Sequence, residues 1–113
     1  MEMNFTQDQV NAIVIEARVE ANKAAEAFRA QYGDRDCCGF AWTSIYGIKG
    51  STKIGRMLQA AGVRKNSYDR CFQLWNPSGL GVQSMNILEE GAMAAAKVFR
   101  KYGFDATSGS RMD

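Results

Sequence analysis

Apolar residues recur along the first third of the chain at alternating steps of four and three: Val10, Val14, Ala17, Ala21, Ala24 and Phe28, with Ile13 widening the stripe. That period marks one face of an α-helix. Thr6 followed three residues later by Gln9 is a capping box, and Gly33 directly after Tyr32 is a stop signal. The spacing predicts a helix over about 6–32, which at 1.5 Å per residue is about 40 Å long and exceeds the width of a compact domain of this size. Part of it is expected to project or to pair with another copy. Ala17, Ala21 and Ala24 form a small-residue seam that permits a close helix crossing, so they are the candidate interface of a homodimer or a larger closed homo-oligomer. The alternative is a long helix lying across its own sheet. Glu20 with Lys23 and Glu26 with Arg29 decorate the outer face at three-residue spacing.

The pattern then changes to period two. Phe40, Trp42, Ser44 and Tyr46 alternate with Ala41, Thr43 and Ile45, as the two faces of a strand do. A glycine-punctuated basic loop follows, and Ile54, Met57, Leu58 and Ala61 make a short amphipathic helix that Gly62 stops. Residues 63–69 read as a polar linker. Cys71-Phe72-Gln73-Leu74-Trp75 is a second strand, halted by Asn76-Pro77-Ser78-Gly79. Asn86 with Glu89 predicts the cap of a third helix, with stripe Leu88, Ala92, Ala95, Phe99 and Tyr102 and a stop at Gly103. Phe104-Asp105-Ala106-Thr107 begins a short third strand, and the polar stretch after it looks mobile on composition alone.

The element order is helix, strand, helix, strand, helix, strand. A helix and roughly twenty residues separate successive strands, which permits parallel crossovers and disfavours hairpins. The expected fold is α/β or α+β: three helices on a small three-stranded sheet, mixed or parallel, with the long helix at the N-terminus. At 113 residues the chain reads as a single domain spanning 1–113, with an αβ core over about 37–113. If Ala41, Ile45, Phe72 and Leu74 face the helices, then Trp42, Tyr46, Gln73 and Trp75 gather on the opposite face. Aromatics so placed serve base stacking or a subunit interface, unless the first helix covers them.

Composition narrows the chemistry. With no histidine and three cysteines, the chain lacks every Ser-His and Cys-His catalytic arrangement. A zinc site would need Asp36 or a second chain, so no metal and no cofactor is expected. An enzyme using Asp34, Asp36 or a cysteine has no paired-carboxylate spacing to work with, and the expectation is no enzyme. Adjacent Cys37 and Cys38 with Cys71 form no disulfide framework. No run reaches membrane-spanning length and no signal pattern opens the chain, so no membrane partner and a cytoplasmic location are expected. The net charge of +2 is too small to mark a nucleic-acid binder by itself, yet residues 49–70 hold Lys49, Lys53, Arg56, Arg64, Lys65 and Arg70 against Asp69 alone.

The candidate site lies in that basic stretch. Lys49, Lys53 and Arg56 supply charge, and Gly50 lets the backbone approach a ligand closely. Ser51 and Thr52 supply hydroxyls at a helix start, where free N–H groups attract anions. Trp42, Tyr46 and Trp75 are the candidate stacking residues. The spacing fails the phosphate-loop pattern, because Gly50 is followed by Ser51 rather than Lys, and ordinary turn and N-cap chemistry explains the same residues more plainly.

Gly39-Phe40-Ala41-Trp42, Tyr46-Gly47 with Lys49-Gly50-Ser51-Thr52-Lys53, Leu74-Trp75-Asn76-Pro77-Ser78-Gly79 with Gly81-Val82-Gln83, and the closing Gly109-Ser110-Arg111-Met112-Asp113 carry a resemblance. The chain resembles a group of small proteins encoded by tailed bacteriophages and prophages, over most of its length beyond residue 36. The resemblance carries no activity onto individual positions. It implies a setting, the host cell cytoplasm, and a role in binding a host component, including counter-defence or sequestration of a nucleotide-derived signal. It also implies that residues 109–113 are ordered, as a last strand. The expectation is therefore a non-enzymatic phage accessory protein that binds a phosphate-bearing ligand, either a nucleotide or a nucleic acid. The alternative is a protein-interaction module that inhibits a host protein by occlusion.

Overall fold

The first helix begins where its capping box puts it: Thr6 Oγ1 accepts from the Gln9 N–H at 3.2 Å, and Gln9 Oε1 accepts from the Thr6 N–H at 2.8 Å. The computed structural model describes residues 3–33, 37–66 and 68–112. Its elements are α1 (Gln7–Tyr32), β1 (Gly39–Tyr46), α2 (Lys53–Ala60), β2 (Arg64–Asn66), β3 (Cys71–Trp75), α3 (Met85–Lys101) and β4 (Asp105–Met112). The class is α+β. Asp34 and Asp36 lie outside the described residues.

The sheet has four strands in the order β2-β3-β1-β4, and every neighbouring pair is antiparallel. Three strands in a mixed or parallel sheet were expected, and the difference has a clear origin. The crossovers through α2 and α3 do join strands that run the same way, as helix-containing connections of that length permit. β3, however, inserts between β1 and β2, and β1 lies between β3 and β4, so no two like-directed strands are neighbours. From β1 onward this is the split βαβ arrangement, βαββαβ, with α1 added in front.

β2 falls inside the stretch read as a polar linker. Three residues, Arg64, Lys65 and Asn66, are too few and too polar to show alternation, and their pairing with Gln73, Phe72 and Cys71 makes the strand. At the other edge, residues 109–112 are strand residues paired to β1, from Gly39 opposite Met112 to Tyr46 opposite Asp105. The polar composition that suggested mobility is that of an edge strand with one face in water.

All three helices bury their apolar stripes on one face of this sheet. Ile45, Phe72 and Leu74 meet Leu58 of α2, Phe99 of α3, and Val10 and Val14 of α1 in one core. Thr43, buried on the same face, donates its hydroxyl to the Ala92 carbonyl at 2.8 Å. α3 starts at Met85 with Ser84 as its cap, the Ser84 hydroxyl accepting from the Ile87 N–H at 3.3 Å. The expected cap was Asn86. Main-chain bonds from Gly39 N–H to the Gln83 carbonyl and from Met85 N–H to the Cys37 carbonyl pin the helix start to β1, two residues earlier.

The alanine seam of α1 is used inside the chain. Ala17, Ala21 and Ala25 are fully buried, chiefly against α3. The crossing is close: a Cβ on Gly91 of α3 would lie 3.2 Å from the Ala21 carbonyl oxygen and 2.9 Å from Ser78 Cβ. Ala17 and Ala21 therefore have no surface left for a second copy, which corrects their expected role in an oligomer interface. Ala24 is half-buried at the rim of a groove between the two helices. The helix, about 39 Å long for 26 residues, runs nearly the 42 Å length of the molecule. Beyond Ala25 its side chains are exposed except for half-buried Phe28, so its last two turns project.

Candidate functional site

Alternation sorts the strand residues into two faces, and the second face is left bare by the helices. Across the central strands Trp42 stands opposite Trp75 and Ser44 opposite Gln73. Toward β4, Phe40 stands opposite Arg111 and Tyr46 opposite Asp105. Phe40, Tyr46 and Trp75 are 41%, 39% and 44% exposed, and Trp42 is half-buried. Aromatic residues this accessible make an exposed apolar patch on the sheet. The first helix does not cover them, since its buried side chains lie in the core on the opposite face.

The face is built as well as bare. The rings of Trp42 and Trp75 lie 4.9 Å apart with a 34° tilt. Trp42 rests on Gly109 of β4, where a Cβ would come within 2.6 Å of its indole nitrogen, so only glycine admits the ring there. Trp75 Nε1 donates to Gln73 Oε1 at 3.1 Å, and the Asn66 amide donates to the same oxygen at 3.2 Å. That shared acceptor fixes the outer tryptophan to β2. Arg64 flanks Trp75 across a depression of about 480 Å³ floored by Gln73, and the guanidinium of Arg111 lies 5.7 Å above the Phe40 ring. Cys71, also on this side, is buried, and desolvation pushes its thiol above the ordinary range, which disfavours the thiolate.

The basic loop sits at the end of β1, beside Tyr46. Its hydroxyls divide in role. Thr52 Oγ1 donates to the Lys49 carbonyl at 2.6 Å and accepts from the Gly55 N–H at 3.2 Å, so its single hydrogen is committed to capping α2. This corrects its expected role as a donor to phosphate. Gly50 is held by the Gln59 amide, which donates to its carbonyl at 3.2 Å. Gly55 is buried so tightly that a Cβ would lie 2.3 Å from the Lys49 carbonyl oxygen. The glycines thus shape the turn, as the plainer reading has it. Ser51, Lys49, Lys53 and Arg56 are exposed, and among the described residues their side chains form no hydrogen bond or ion pair.

The structure brings only some of these groups together. Tyr46, Lys49 and Thr52 share a depression of about 490 Å³ with Gly47, Ile48 and Asp105, whereas Trp75 lines two others farther along the face. Four residue steps of strand lead from Trp42 to Tyr46, about 13 Å at about 3.3 Å each. A mononucleotide cannot stack on the tryptophans and place its phosphates in the loop at once. An extended ligand can. Gly109 and the bond between Gln73 and Asn66 were missed in the sequence, and Arg64, read there only as part of the basic stretch, was not placed beside Trp75. An aromatic at a strand position with a glycine in a later polar strand is the only trace the packing on Gly109 leaves there.

Among the described residues no three His, Cys, Asp or Glu side chains gather as metal ligands would. No helix among them is long and apolar enough to cross a membrane. Comparison of the chain with protein-family models, with curated proteins and with solved structures finds no match.

Proposed function

We propose that the bare face of the sheet binds a single-stranded nucleic acid. The observation that carries this reading is the ring pair of exposed Trp75 and half-buried Trp42 at the centre of the sheet face that the helices leave uncovered, with Arg64 beside it. At the Tyr46 end of the sheet Lys49, and Lys53 and Arg56 on the adjoining α2, add cations that are unpaired among the described residues. Bases stack on such platforms without sequence preference, and a positive margin tracks the backbone. The chain is on this reading a non-enzymatic binding protein. Its resemblance to phage-encoded proteins points to the host cytoplasm as its setting, where coating or sequestering a nucleic acid or a nucleotide-derived signal would serve counter-defence.

Fluorescence anisotropy of labelled single-stranded DNA and RNA at low salt tests the proposal. Each stacked base is worth about 1–3 kcal/mol by truncation, so Trp75→Ala should weaken binding by roughly fivefold to over a hundredfold while the fold is kept. Lys53→Ala with Arg56→Ala should flatten the slope of log affinity against log salt by about 0.7 for each phosphate no longer neutralised. Absence of oligonucleotide binding, or binding that Trp75→Ala leaves unchanged, overturns the reading. The small net charge of +2 supports a second reading, in which the exposed Phe40 and Trp75 dock on a host protein and occlude it. A stoichiometric protein partner that survives nuclease and high salt, with no oligonucleotide binding, would select it.

A further inference from the structure

β4 is one of the two outer strands of the sheet, β2 being the other, and among the described residues β1 is its only strand neighbour. The direction of its main-chain groups follows from two bonds. Asn76 N–H donates to the Ala41 carbonyl at 3.0 Å, so odd-numbered residues of β1 turn toward β3 and even-numbered ones toward β4. In the register with β4, the odd-numbered residues of β4 then bond to β1, and Ala106, Ser108 and Ser110 turn their N–H and C=O outward. Arg100 agrees, donating from Nη1 to the Ala106 carbonyl at 3.0 Å from outside the sheet. Ser108 and Ser110 keep their outward main-chain groups unbonded among the described residues. The edge is eight residues long and carries no proline, and such edges recruit another strand unless guarded.

We infer that the occupant is a second copy of this chain, paired β4 to β4, antiparallel, about a two-fold axis at Ser108. The charges choose this register. Asp105 and Arg111 lie three residues either side of Ser108, both project from the bare face, and both are exposed. About that axis each Asp105 stands directly opposite Arg111 of the other copy, twice per interface, and opposite charges so placed favour a pairing where like charges oppose it. A shift of two residues puts Arg111 opposite an uncharged residue and loses both pairs. The outward residues then match as Ser108 with Ser108 and Ala106 with Ser110, each pair able to exchange two main-chain bonds. The Ala106 carbonyl has a second lone pair, so Arg100 keeps its bond to it. The result is one continuous eight-stranded sheet with all helices on one side, an isologous closed dimer.

Sedimentation equilibrium at low salt tests this, with circular dichroism confirming that each variant is folded. The wild-type chain is expected at twice its 12.5 kDa mass at micromolar concentration. Asp105→Arg turns both pairs into like-charge oppositions and should weaken association by roughly thirtyfold, as should Arg111→Asp. The double variant, with the charges exchanged, should restore it. Ser108→Pro removes an outward N–H only, leaves the bonds to β1 in place, and should also give monomer. A wild-type monomer at high micromolar concentration, a dimer indifferent to Asp105→Arg, or a double variant no better than the singles overturns the inference.

Discussion

Ala21→Glu separates the two uses an alanine seam can have. Ala21 is fully buried where α1 crosses α3, with Gly91 and Ser78 against it. A carboxylate there leaves water for a fully buried helix crossing, an effective penalty of several kcal/mol. The longer side chain must also enter a crossing already so close that Gly91 cannot accept a methyl group, which adds about 1–3 kcal/mol. The sum, about 5 kcal/mol or more, equals the whole stability of many domains of this size. Ala21→Glu is therefore expected to lower the melting temperature by about 20 °C or to abolish the cooperative transition, at roughly 4 °C per kcal/mol. Ala24→Glu, half-buried at the rim of a groove that carries Glu16 and Glu20 as well as Lys23, Lys97 and Lys101, should stay within about 0.5 kcal/mol of the wild type. Thermal melts followed by circular dichroism measure both. An Ala21→Glu variant that melts within a few degrees of wild type would refute the intramolecular crossing and return the seam to an intermolecular role.

Glu16 links α1 to the end of α3, accepting from Lys101 Nζ and, at 2.5 Å, from the Tyr102 hydroxyl. The Lys101 bond, then the Tyr102 bond, hold its carboxyl below the ordinary range, so this contribution is complete above the unfolded carboxylate value and fades as pH falls through the lowered folded one. Glu16→Gln should flatten the acid limb of a plot of melting temperature against pH, and an unchanged limb would remove Glu16 from the account. The same interaction raises Lys101 and Tyr102, so their share persists below their unfolded values and disappears as pH climbs through the raised ones. Gly55→Ala puts a methyl 2.3 Å from the Lys49 carbonyl oxygen, and should cost about 1–3 kcal/mol despite the better helix propensity of alanine. Urea denaturation decides the sign, and a gain in stability would mean that the loop yields.

What the sequence shows depends on how local the cause is. The capping box at Thr6 and Gln9, the helical stripe as far as Ala21 and the period-two run at Phe40–Tyr46 are written within a few residues and form as read, while past Ala21 the buried position is Ala25 rather than Ala24. The facing of Ala41, Ile45, Phe72 and Leu74 toward the helices, and of Trp42, Tyr46, Gln73 and Trp75 away from them, follows from alternation in the same way. Strand order does not. Nothing near Arg64-Lys65-Asn66 shows that these residues pair with β3, and nothing near β3 shows that it slides between two strands running the other way. The seam misled for a related reason: small residues announce that something approaches closely, without saying whether it is another chain or α3. At the loop, Gly, Thr and Lys are common to anion sites and to turns, and only the bonds of Thr52 and the packing of Gly55 show which of them are committed to the turn.

Both tryptophans of the chain stand on the bare face, their rings 4.9 Å apart. Two indoles so near and so inclined are held in one asymmetric setting, and their near-ultraviolet circular-dichroism signal persists only while that geometry holds. One ring lies over Gly109, so the optical signal requires the final strand in chain order to have docked on the first. Residues 42 and 109 are far apart in sequence, and closing so long a loop is a slow event compared with helix formation. The near-ultraviolet signal should therefore lag the far-ultraviolet helix signal during refolding, giving an unlabelled clock for closure of the sheet.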